Sequence, residues 1–551
     1  MSPVDGIAVV HRHCAVYTGP EAVAVLLDLV GWTTTAINAQ ARLLEPACGD
    51  GSFLLPAVAR LIDWAKDFPD ADLEPMVRAY EFEAETAEAV RCSVASLLRR
   101  AGHGESKASS IARAWVRSAD FLLSAPDFVA THVVGNPPYM RWSLVPHQLR
   151  TAYETALPKA AARGDLCLAF LWKATEFARD PGARVGFLCA DRWLRCAYGR
   201  DVRAELARTH HLTAHLEVHG LPVFKGVRKV GAYAAVTVLE RGGSGGGTRF
   251  GKAVSLAHLR ELAETKQAGR SNAPTIWAKS DNAGARLASV DVRELFDALD
   301  SVSSLLNDVG ITVRCGSALG LAKAFIFASS DDVEPERRLP YVRSCDLDDA
   351  GGVSSKSFVA NVWTPDGDLI DLSLAPRLAA HLERHRKGLE ARACVSSDDD
   401  WYRTIDKFRI DRIIEPKVLI AGMSRRAKLS LDPGGHVASN ALYCLTSTRW
   451  PLEALLSILS AGVLDLFGEV VSPRFSGGTK RFDGNVIRQV RLPDWHNLRA
   501  ELQRRIGSRG ASAGHEPALV ADLYRLSKIH RATLERTLAA AVATSPEGSG
   551  A

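Results

Sequence analysis

Residues 44–54 read LEPACGDGSFL, and this stretch decides the fold. An apolar segment ends at Glu45, two glycines follow at Gly49 and Gly51, and an apolar helical pattern begins at Phe53. Glycine lets the backbone turn sharply and approach a ligand closely, and a helix N-terminus favours anionic groups. The stretch does not have the GxGxxG spacing of a dinucleotide-binding turn. It indicates a strand–turn–helix unit that suits a nucleoside carrying an amino acid, with a generic tight turn as the alternative.

Two carboxylates stand at strand ends next to this turn. Glu45 closes the first strand and could bind an ammonium group, and Glu81 closes the next predicted strand, Met76 to Phe82. An acidic residue at that second position commonly accepts hydrogen bonds from both hydroxyls of a ribose. The pair therefore predicts a site for an amino acid at one end and a ribose at the other.

Strand-like and helix-like segments alternate up to about residue 240, which predicts an α/β fold with a doubly wound parallel sheet covered on both faces. Arg241 to Gly247 reads RGGSGGG, a linker composition. We predict a first domain over 1–240, a linker with connecting helices over 241–300, an α+β domain over 301–500, and C-terminal helices with a polar tail over 501–551.

The chain has 551 residues, and its 68 Lys and Arg against 63 Asp and Glu give a net charge of +5. This mild excess permits a local nucleic-acid cleft without demanding one. The ten cysteines are scattered without zinc-ligand spacing, so we expect no metal site. We expect no signal peptide and no membrane-spanning segment, and hence a cytoplasmic protein.

Residues 134–139 read VGNPPY and form the second informative motif. Consecutive prolines hold the backbone extended and rigid. Asn136 and the backbone carbonyl of Pro137 offer two acceptors beside the flat ring of Tyr139. Hydrogen bonds to both N–H groups of a planar exocyclic amine would localise its lone pair for attack. A Pro-Pro loop with a capping Asn is the alternative reading of this motif alone.

Together, the order of PACGDGSFL, the acidic end of the next strand, Asp120-Phe121 and NPPY resembles the γ-class N6-adenine DNA methyltransferases, similar to the TaqI and Eco57I enzymes. Residues 17–20 (YTGP) resemble the family motif ahead of the glycine turn, with an extra glycine. Residues 221–224 (LPVF) look like the segment with a second base-stacking aromatic. The resemblance implies a methyltransferase sheet that uses S-adenosylmethionine, followed by a target recognition domain.

The resemblance also implies roles for individual residues. The cofactor would be held by Tyr17, Thr18, Glu45, Ala47, Cys48, Gly49, Gly51, Glu81, Asp120 and Phe121. Asn136 and Pro137 would accept hydrogen bonds from the target N6, Pro138 would stiffen the loop, and Tyr139 and Phe224 would sandwich a flipped adenine. Helix capping is the alternative for Asp120, and a core aromatic is the alternative for Phe224.

Basic residues cluster in two places in the C-terminal half. Arg425 and Arg426 follow a predicted strand, and Arg474, Lys480 and Arg481 flank the glycine-containing loop 476–479. We predict that these five contact double-stranded DNA, with a solvated basic surface as the alternative. The E-x-K sequence at 415–417 resembles half of a nuclease site, but no suitably separated Asp accompanies it.

We therefore expect a site-specific DNA adenine methyltransferase, monomeric, with a cognate restriction endonuclease as a candidate partner. Two alternatives stay open. One is a methyltransferase that acts on RNA or on a protein glutamine, because NPPY also occurs in such enzymes. The other is a non-catalytic DNA specificity subunit with a degenerate cofactor site.

Overall fold

The computed structural model describes residues 17–225, 234–242, 248–265, 290–327, 333–348, 350–472, 474–475, 479–509 and 514–543. The chain forms two compact units, Met1–Ser289 and Val290–Ala551. Most of the predicted glycine linker lies outside the described residues.

An eight-stranded sheet organises the first unit, in the order β3-β2-β1-β4-β5-β7-β6-β8. Neighbours from β3 to β5 are parallel, and β7 runs antiparallel to β5 and β6. The strands are β1 Leu43–Glu45, β2 Val77–Glu81, β3 Val116–Ser118, β4 His132–Gly135, β5 Arg184–Ala190, β6 His210–Glu217, β7 Ala234–Arg241 and β8 Arg249–Lys252. Because β8 pairs with β6, the sheet extends beyond the boundary predicted at residue 240.

Helices cover both faces of this sheet, as the alternating pattern predicted. Successive strand residues point to opposite faces: Leu43 joins one apolar core and Leu44 the other, and Val134 and Val133 divide in the same way. The helices are Pro20–Val30, Leu54–Ala65, Ala84–Arg100, Glu105–Trp115, His147–Ala156, Leu166–Phe177, Arg192–Arg195, Arg200–Thr209 and Leu256–Glu264. The doubly wound α/β prediction is confirmed.

The parallel order has one consequence for function. Glu45, Glu81 and Gly135 are the last residues of β1, β2 and β4, which are neighbours in the sheet. Carboxyl ends of parallel strands meet at one edge, where ligands of open α/β sheets bind. The glycine turn, the ribose carboxylate and the NPPY motif therefore meet at that edge.

The second unit is an α+β assembly of small sheets, in the orders β10-β18-β14-β16, β11-β13-β12-β17, β15-β20-β19 and β21-β9. Its strands are β9 Ser304–Leu305, β10 Ile311–Cys315, β11 Ile326–Phe327, β12 Arg338–Val342, β13 Ser357–Ala360, β14 Lys417–Ala421, β15 Met423–Ser424, β16 Leu429–Asp432, β17 Val437–Ala438, β18 Leu442–Ser447, β19 Arg474–Phe475, β20 Thr479–Arg481 and β21 Arg491–Leu492.

Its helices are mostly short. The helix Val290–Ser301 packs against the C-terminal helix Lys528–Ala543, and nearly all of it falls within 241–300, where a linker with connecting helices was predicted. The helices are Val290–Ser301, Ala322–Phe325, Pro376–Glu383, Arg386–Glu390, Ile410–Ile414, Leu452–Ile458, Leu464–Val471, Gly484–Ile487, Ala500–Ser508, Pro517–Leu523 and Lys528–Ala543.

One helical stretch, Leu452–Val471, is long and apolar enough by composition to cross a membrane. It is 89% buried inside the second unit, as is typical of a core helix. Gly462 interrupts it with a φ of +124°, a conformation that favours glycine. The stretch is therefore two core helices joined at a glycine break.

Candidate active site

A pocket at the carboxyl edge of the first sheet brings most of the predicted residues together. It encloses about 1000 Å³ of empty space, part of it open to solvent. The predicted residues that line it are Tyr17, Thr18, Glu45, Ala47, Cys48, Gly49, Glu81, Asp120, Phe121, Asn136, Pro138 and Tyr139. Gly51, Pro137 and Phe224 are not part of the lining. The two motifs thus form one site.

The glycine turn is held in place by backbone hydrogen bonds. The Cys48 N–H donates to the Tyr80 carbonyl at 2.9 Å, and the Gly51 N–H donates to the Cys48 carbonyl at 2.8 Å. Gly49 and Gly51 have φ values of +50° and +79°, which disfavour side chains. A Cβ on Gly49 would also lie only 3.2 Å from the ring of Tyr17. Gly51 therefore shapes the turn from outside the pocket lining.

Glu45 and Glu81 differ in their hydrogen bonding. Glu81 accepts the Gly49 N–H on Oε2 and the Glu83 N–H on Oε1, both at 2.9 Å, so its carboxylate has a fixed orientation. Glu45 is fully buried, and its Oε2 has no hydrogen-bond partner among the described residues. Burial, with the nearby carboxylates of Asp50 and Glu81, raises the pKa of Glu45 well above its usual value. A cation at Glu45 would relieve both penalties.

The opposite end of the pocket is aromatic. Asp120 caps the short helix Phe121–Leu123 by accepting the Leu122 N–H at 2.9 Å, and it accepts the Tyr153 hydroxyl at 2.7 Å. Burial raises the pKa of Asp120. The ring of Phe121 stacks on that of Phe170 at 5.6 Å between centroids. Asp120 is therefore both a cap and a pocket residue, so the two interpretations of it are compatible.

Asn136 is oriented by Thr18, which lies 118 positions earlier in the chain. Its Nδ2 donates to the Oγ1 of Thr18 at 3.1 Å, and Thr18 is buried. This bond sets the plane of the amide and hence the direction in which the Asn136 carbonyl oxygen accepts. Thr18 was predicted to contact the cofactor, and the structure adds a contact with the acceptor side chain.

Phe224 is brought to Tyr139 by backbone pairing. The Gly19 N–H donates to the Val223 carbonyl at 2.7 Å, and the Lys225 N–H donates to the Tyr17 carbonyl at 2.8 Å. The Tyr139 and Phe224 rings meet edge to face with centroids 5.8 Å apart. A base stacked between two parallel rings needs about 7 Å between them. The predicted sandwich therefore requires one ring to turn, because the rings contact each other here.

Sequence reasoning missed several pocket residues. Tyr153 reaches the site from a helix without a local motif, and Phe170 reaches it from the apolar helix Leu166–Phe177. The ammonium of Lys225 lies 3.2 Å from the Asp50 carboxylate and 2.9 Å from the Ser52 hydroxyl. In the sequence, its position directly after Phe224 is the feature that could have indicated a place near the site. Lys225 thus links the glycine turn to the segment that carries Phe224.

A buried group of charges lies at the same edge of the sheet. One ligand atom each from Asp191, His215 and Glu217 lie within 4.8 Å of one another, a spacing that could hold a metal ion. The guanidinium of Arg195, however, donates to both carboxylates. This arginine offsets one of the two buried negative charges, and the ring nitrogens of His219 lie 3.7 Å from the Asp191 carboxylate and 3.8 Å from that of Glu217.

One DNA-contact prediction is wrong in the second unit. Lys480 is buried, with its ammonium 3.2 Å from the Glu469 carboxylate and 3.8 Å from that of Asp465. A lysine enclosed by acids cannot reach a phosphate. Successive strand residues point to opposite faces, so the next residue on β20, Arg481, points outward. Arg481 is exposed and pairs with Asp483.

The other basic residues have different positions. Arg425 and Arg426 are exposed directly after β15, and β15 pairs with β20, so the two predicted clusters share one small sheet. The side chain of Arg474 and residues 476–478 lie outside the described residues. The nuclease-like Lys417 is buried against Asp432 at 2.9 Å, in agreement with the rejection of that motif.

Comparison with known proteins identifies the family. The Eco57I restriction-modification methylase family matches residues 128–224. The Type II methyltransferase M.PaeR7I of Pseudomonas aeruginosa is 33% identical over 541 residues, which cover 94% of this chain and 93% of the relative. M.XhoI of Xanthomonas vasicola is 31% identical, covering 96% and 99%. The chain belongs to the Type II methyltransferases.

The fold agrees with a solved restriction–modification enzyme. The structure of the Type IIL enzyme MmeI in complex with DNA matches with a TM-score of 0.56 at 12% identity, covering 100% of this chain and 76% of that one. The resemblance drawn from the sequence motifs is confirmed at the level of a DNA methyltransferase of a restriction–modification family.

The pocket residues fit the cofactor that this family implies. The buried carboxyl oxygen of Glu45, which has no hydrogen-bond partner among the described residues, suits an ammonium group, and the Glu81 carboxylate, which also lines the pocket, is an acceptor that suits hydroxyl groups. The space over Gly49 would be restricted by any Cβ. Amino acid, ribose and base would therefore have complementary partners along one pocket.

The contact between Thr18 and Asn136 predicts separable effects on binding and rate. Thr18→Val removes the acceptor at nearly constant volume, so we expect kcat for methyl transfer to fall about tenfold with little change in cofactor affinity. Thr18→Ser keeps the hydroxyl and should recover most of the rate. Steady-state kinetics and calorimetry would measure both quantities. Weaker cofactor binding with an unchanged kcat would instead assign Thr18 to the cofactor alone.

Proposed function

We propose that the protein is a site-specific DNA methyltransferase that turns an adenine out of the duplex and methylates its N6, with S-adenosylmethionine as the cofactor. The observation that carries this proposal is the oriented amide of Asn136, held by Thr18 in the pocket that also contains Glu45 and Glu81. A fixed acceptor beside an aromatic ring suits a planar exocyclic amine.

The chain's own residues would act mainly by positioning. The bound cofactor supplies an electrophilic methyl group on a sulfonium centre. The Asn136 side-chain oxygen and the Pro137 carbonyl would accept hydrogen bonds from the two N–H groups of the amine and so localise the nitrogen lone pair. Tyr139, whose hydroxyl donates to the Leu188 carbonyl at 3.1 Å, has a fixed ring against which the base can stack. Phe224 would turn away from Tyr139 to admit the base.

Several further features belong to this proposal. The second unit would be the target recognition domain, and the exposed Arg425, Arg426 and Arg481 would meet DNA phosphates. The enzyme would act as a monomer in the cytoplasm, with a cognate restriction endonuclease as partner. The Type II relatives, which match almost the entire chain, favour DNA over RNA or a protein glutamine as the substrate.

Product analysis tests the reaction. Protein with tritiated cofactor is incubated with unmethylated duplex DNA, RNA or a release factor, and the labelled DNA is digested to nucleosides. We expect label in N6-methyladenine, and Asn136→Ala should lower the rate about 100- to 1000-fold while keeping cofactor affinity. Label in methylcytosine would contradict the choice of base, and label only in protein would contradict the DNA substrate. Cofactor binding without transfer to any substrate would favour a specificity subunit.

The raised pKa of Glu45 predicts how cofactor binding depends on pH. The neutral carboxyl persists to higher pH than usual, whereas an ammonium ligand binds the ionised form. Cofactor affinity should therefore rise with pH and level off above the raised pKa. Glu45→Gln should bind more weakly and lose this component. Calorimetry from about pH 5 to pH 8 on both proteins would isolate it, because titration of the cofactor's own amine is common to both. Parallel profiles would contradict the Glu45 contact.

The exposed arginines predict a salt-dependent contact with DNA. The double variant Arg425→Ala, Arg426→Ala should make the negative slope of log K against log salt shallower by about 1.8, as expected for two lost phosphate contacts. Arg99→Ala with Arg100→Ala is a matched control at exposed positions of the first unit and should leave the slope unchanged. Fluorescence anisotropy with duplex DNA would measure both. Equal slopes in the double variant and the wild type would contradict a contact between Arg425 or Arg426 and DNA phosphates.

A further inference from the structure

A second solvent-open cavity lies entirely within the second unit. It contains about 1510 Å³ of empty space and is formed by β10, the loop after it, residues 406–415 and residues 436–440. Its polar lining includes the exposed Lys407, Arg409, Arg412 and Asn440 and the half-buried Arg314. We call this cavity the Arg412 groove. None of these five residues was among the predicted DNA contacts.

The floor of the Arg412 groove comes from a sheet with two different faces. Val313, Leu445, Val418 and Leu431 form one cross-strand row, and all four are apolar. Successive strand residues point to opposite faces, so Arg314 and its partner Cys444 belong to the other face, and both line the groove. The sheet thus presents charge to the cavity.

Two internal contacts fix the walls of the groove. The buried ammonium of Lys417 donates to the backbone carbonyls of Ile413 and Glu415, both at 3.0 Å, and pairs with Asp432. This holds the segment that carries Arg412 against the sheet. On the other side, the Ala318 N–H donates to the Asp406 carboxylate at 2.7 Å. The exposed side chains are therefore mounted on a fixed backbone, as base recognition requires.

The charged side chains in the groove could exchange their present ion-pair partners for a ligand. Arg314 pairs with Glu415 at 3.1 Å, and Arg409 pairs with Asp411 at 2.9 Å, with all four side chains well exposed. Exposed pairs contribute little free energy, so a guanine edge could replace a carboxylate partner. Arg412 has no ion-pair partner within the part of the chain that the structure describes. Arginine, glutamate and asparagine side chains at one place match the donor and acceptor patterns of base edges.

We propose that the Arg412 groove is the place where the second unit reads base pairs of its target duplex, with Arg412 and Asn440 as specificity-determining residues. This inference rests on the proposed DNA methyltransferase function. Strand β14 begins at the groove, and Arg425 follows it eight residues after Lys417. At about 3.3 Å per residue that separation is at most about 26 Å, less than one turn of a duplex at about 34 Å. One duplex could therefore meet both the groove and the exposed arginines.

The experiment first defines the site that the wild-type enzyme modifies. A randomised duplex library is methylated by the full chain, and single-molecule sequencing gives the modified sequence. Cognate and scrambled duplexes are then compared by anisotropy for wild type, Arg412→Ala, Asn440→Ala and the control Arg504→Ala. Arg504 is exposed on the helix Ala500–Ser508 and lies outside the groove. Thermal unfolding and cofactor affinity confirm that each variant is folded.

We expect Arg412→Ala and Asn440→Ala to reduce the ratio of cognate to scrambled affinity about 10- to 100-fold, and to relax the modified sequence at one or two positions. Arg504→Ala should leave the ratio unchanged. An unchanged ratio in both groove variants, or an equal loss of affinity for every sequence, would overturn base reading by the groove. Wild-type methylation of a base other than adenine would instead contradict the proposed function and leave the affinity ratio as an independent test.

Discussion

The active site depends on backbone pairing between residues 17–19 and residues 223–225. These segments are about two hundred positions apart, and their hydrogen bonds place Thr18 and Phe224 opposite each other. Thr18 then orients Asn136, Tyr17 lies against Gly49, and Lys225 reaches Asp50. The glycine turn and the NPPY loop follow separate strands. This pairing gives them common neighbours, so it would fix the positions of the proposed cofactor and target amine relative to each other.

Buried charge is treated differently at the site and away from it. Lys480, Lys417 and Arg195 are each buried beside carboxylates. Removing one partner of such a pair is strongly destabilising, because the other charge stays uncompensated. Glu45 differs from these groups because no cation pairs with it among the described residues, and its Oε2 accepts no hydrogen bond there. A protein tolerates such a group where a ligand supplies the missing charge, which is why Glu45 indicates a cationic ligand more directly than the glycine turn does.

Local patterns predicted the features that depend on local physics. The glycine turn, the alternation of strands and helices up to about residue 240 and the acidic strand ends follow from turn chemistry, apolar runs and strand order, and the structure has them where they were expected. Lys480 was misassigned because its partners, Glu469 and Asp465, come from the helix Leu464–Val471. No residue spacing in the sequence indicates that they pair with it. The contact between Tyr139 and Phe224 depends on ring orientation, and the break at Gly462 depends on packing, so neither had a local signal.

The positions of the charged residues are more informative than the net charge of +5. In the first unit, Glu45 and Glu81 are buried in the pocket at the carboxyl edge of the sheet, where the proposed cofactor would be their partner. In the second unit, Arg425, Arg426 and Arg412 are exposed, whereas Lys480 and Lys417 are neutralised internally. Non-specific binding strengthens with each phosphate contact, and a lysine held by buried carboxylates makes none. Under the proposed DNA methyltransferase function, phosphate contacts would position the duplex and contacts with base edges would discriminate between sequences.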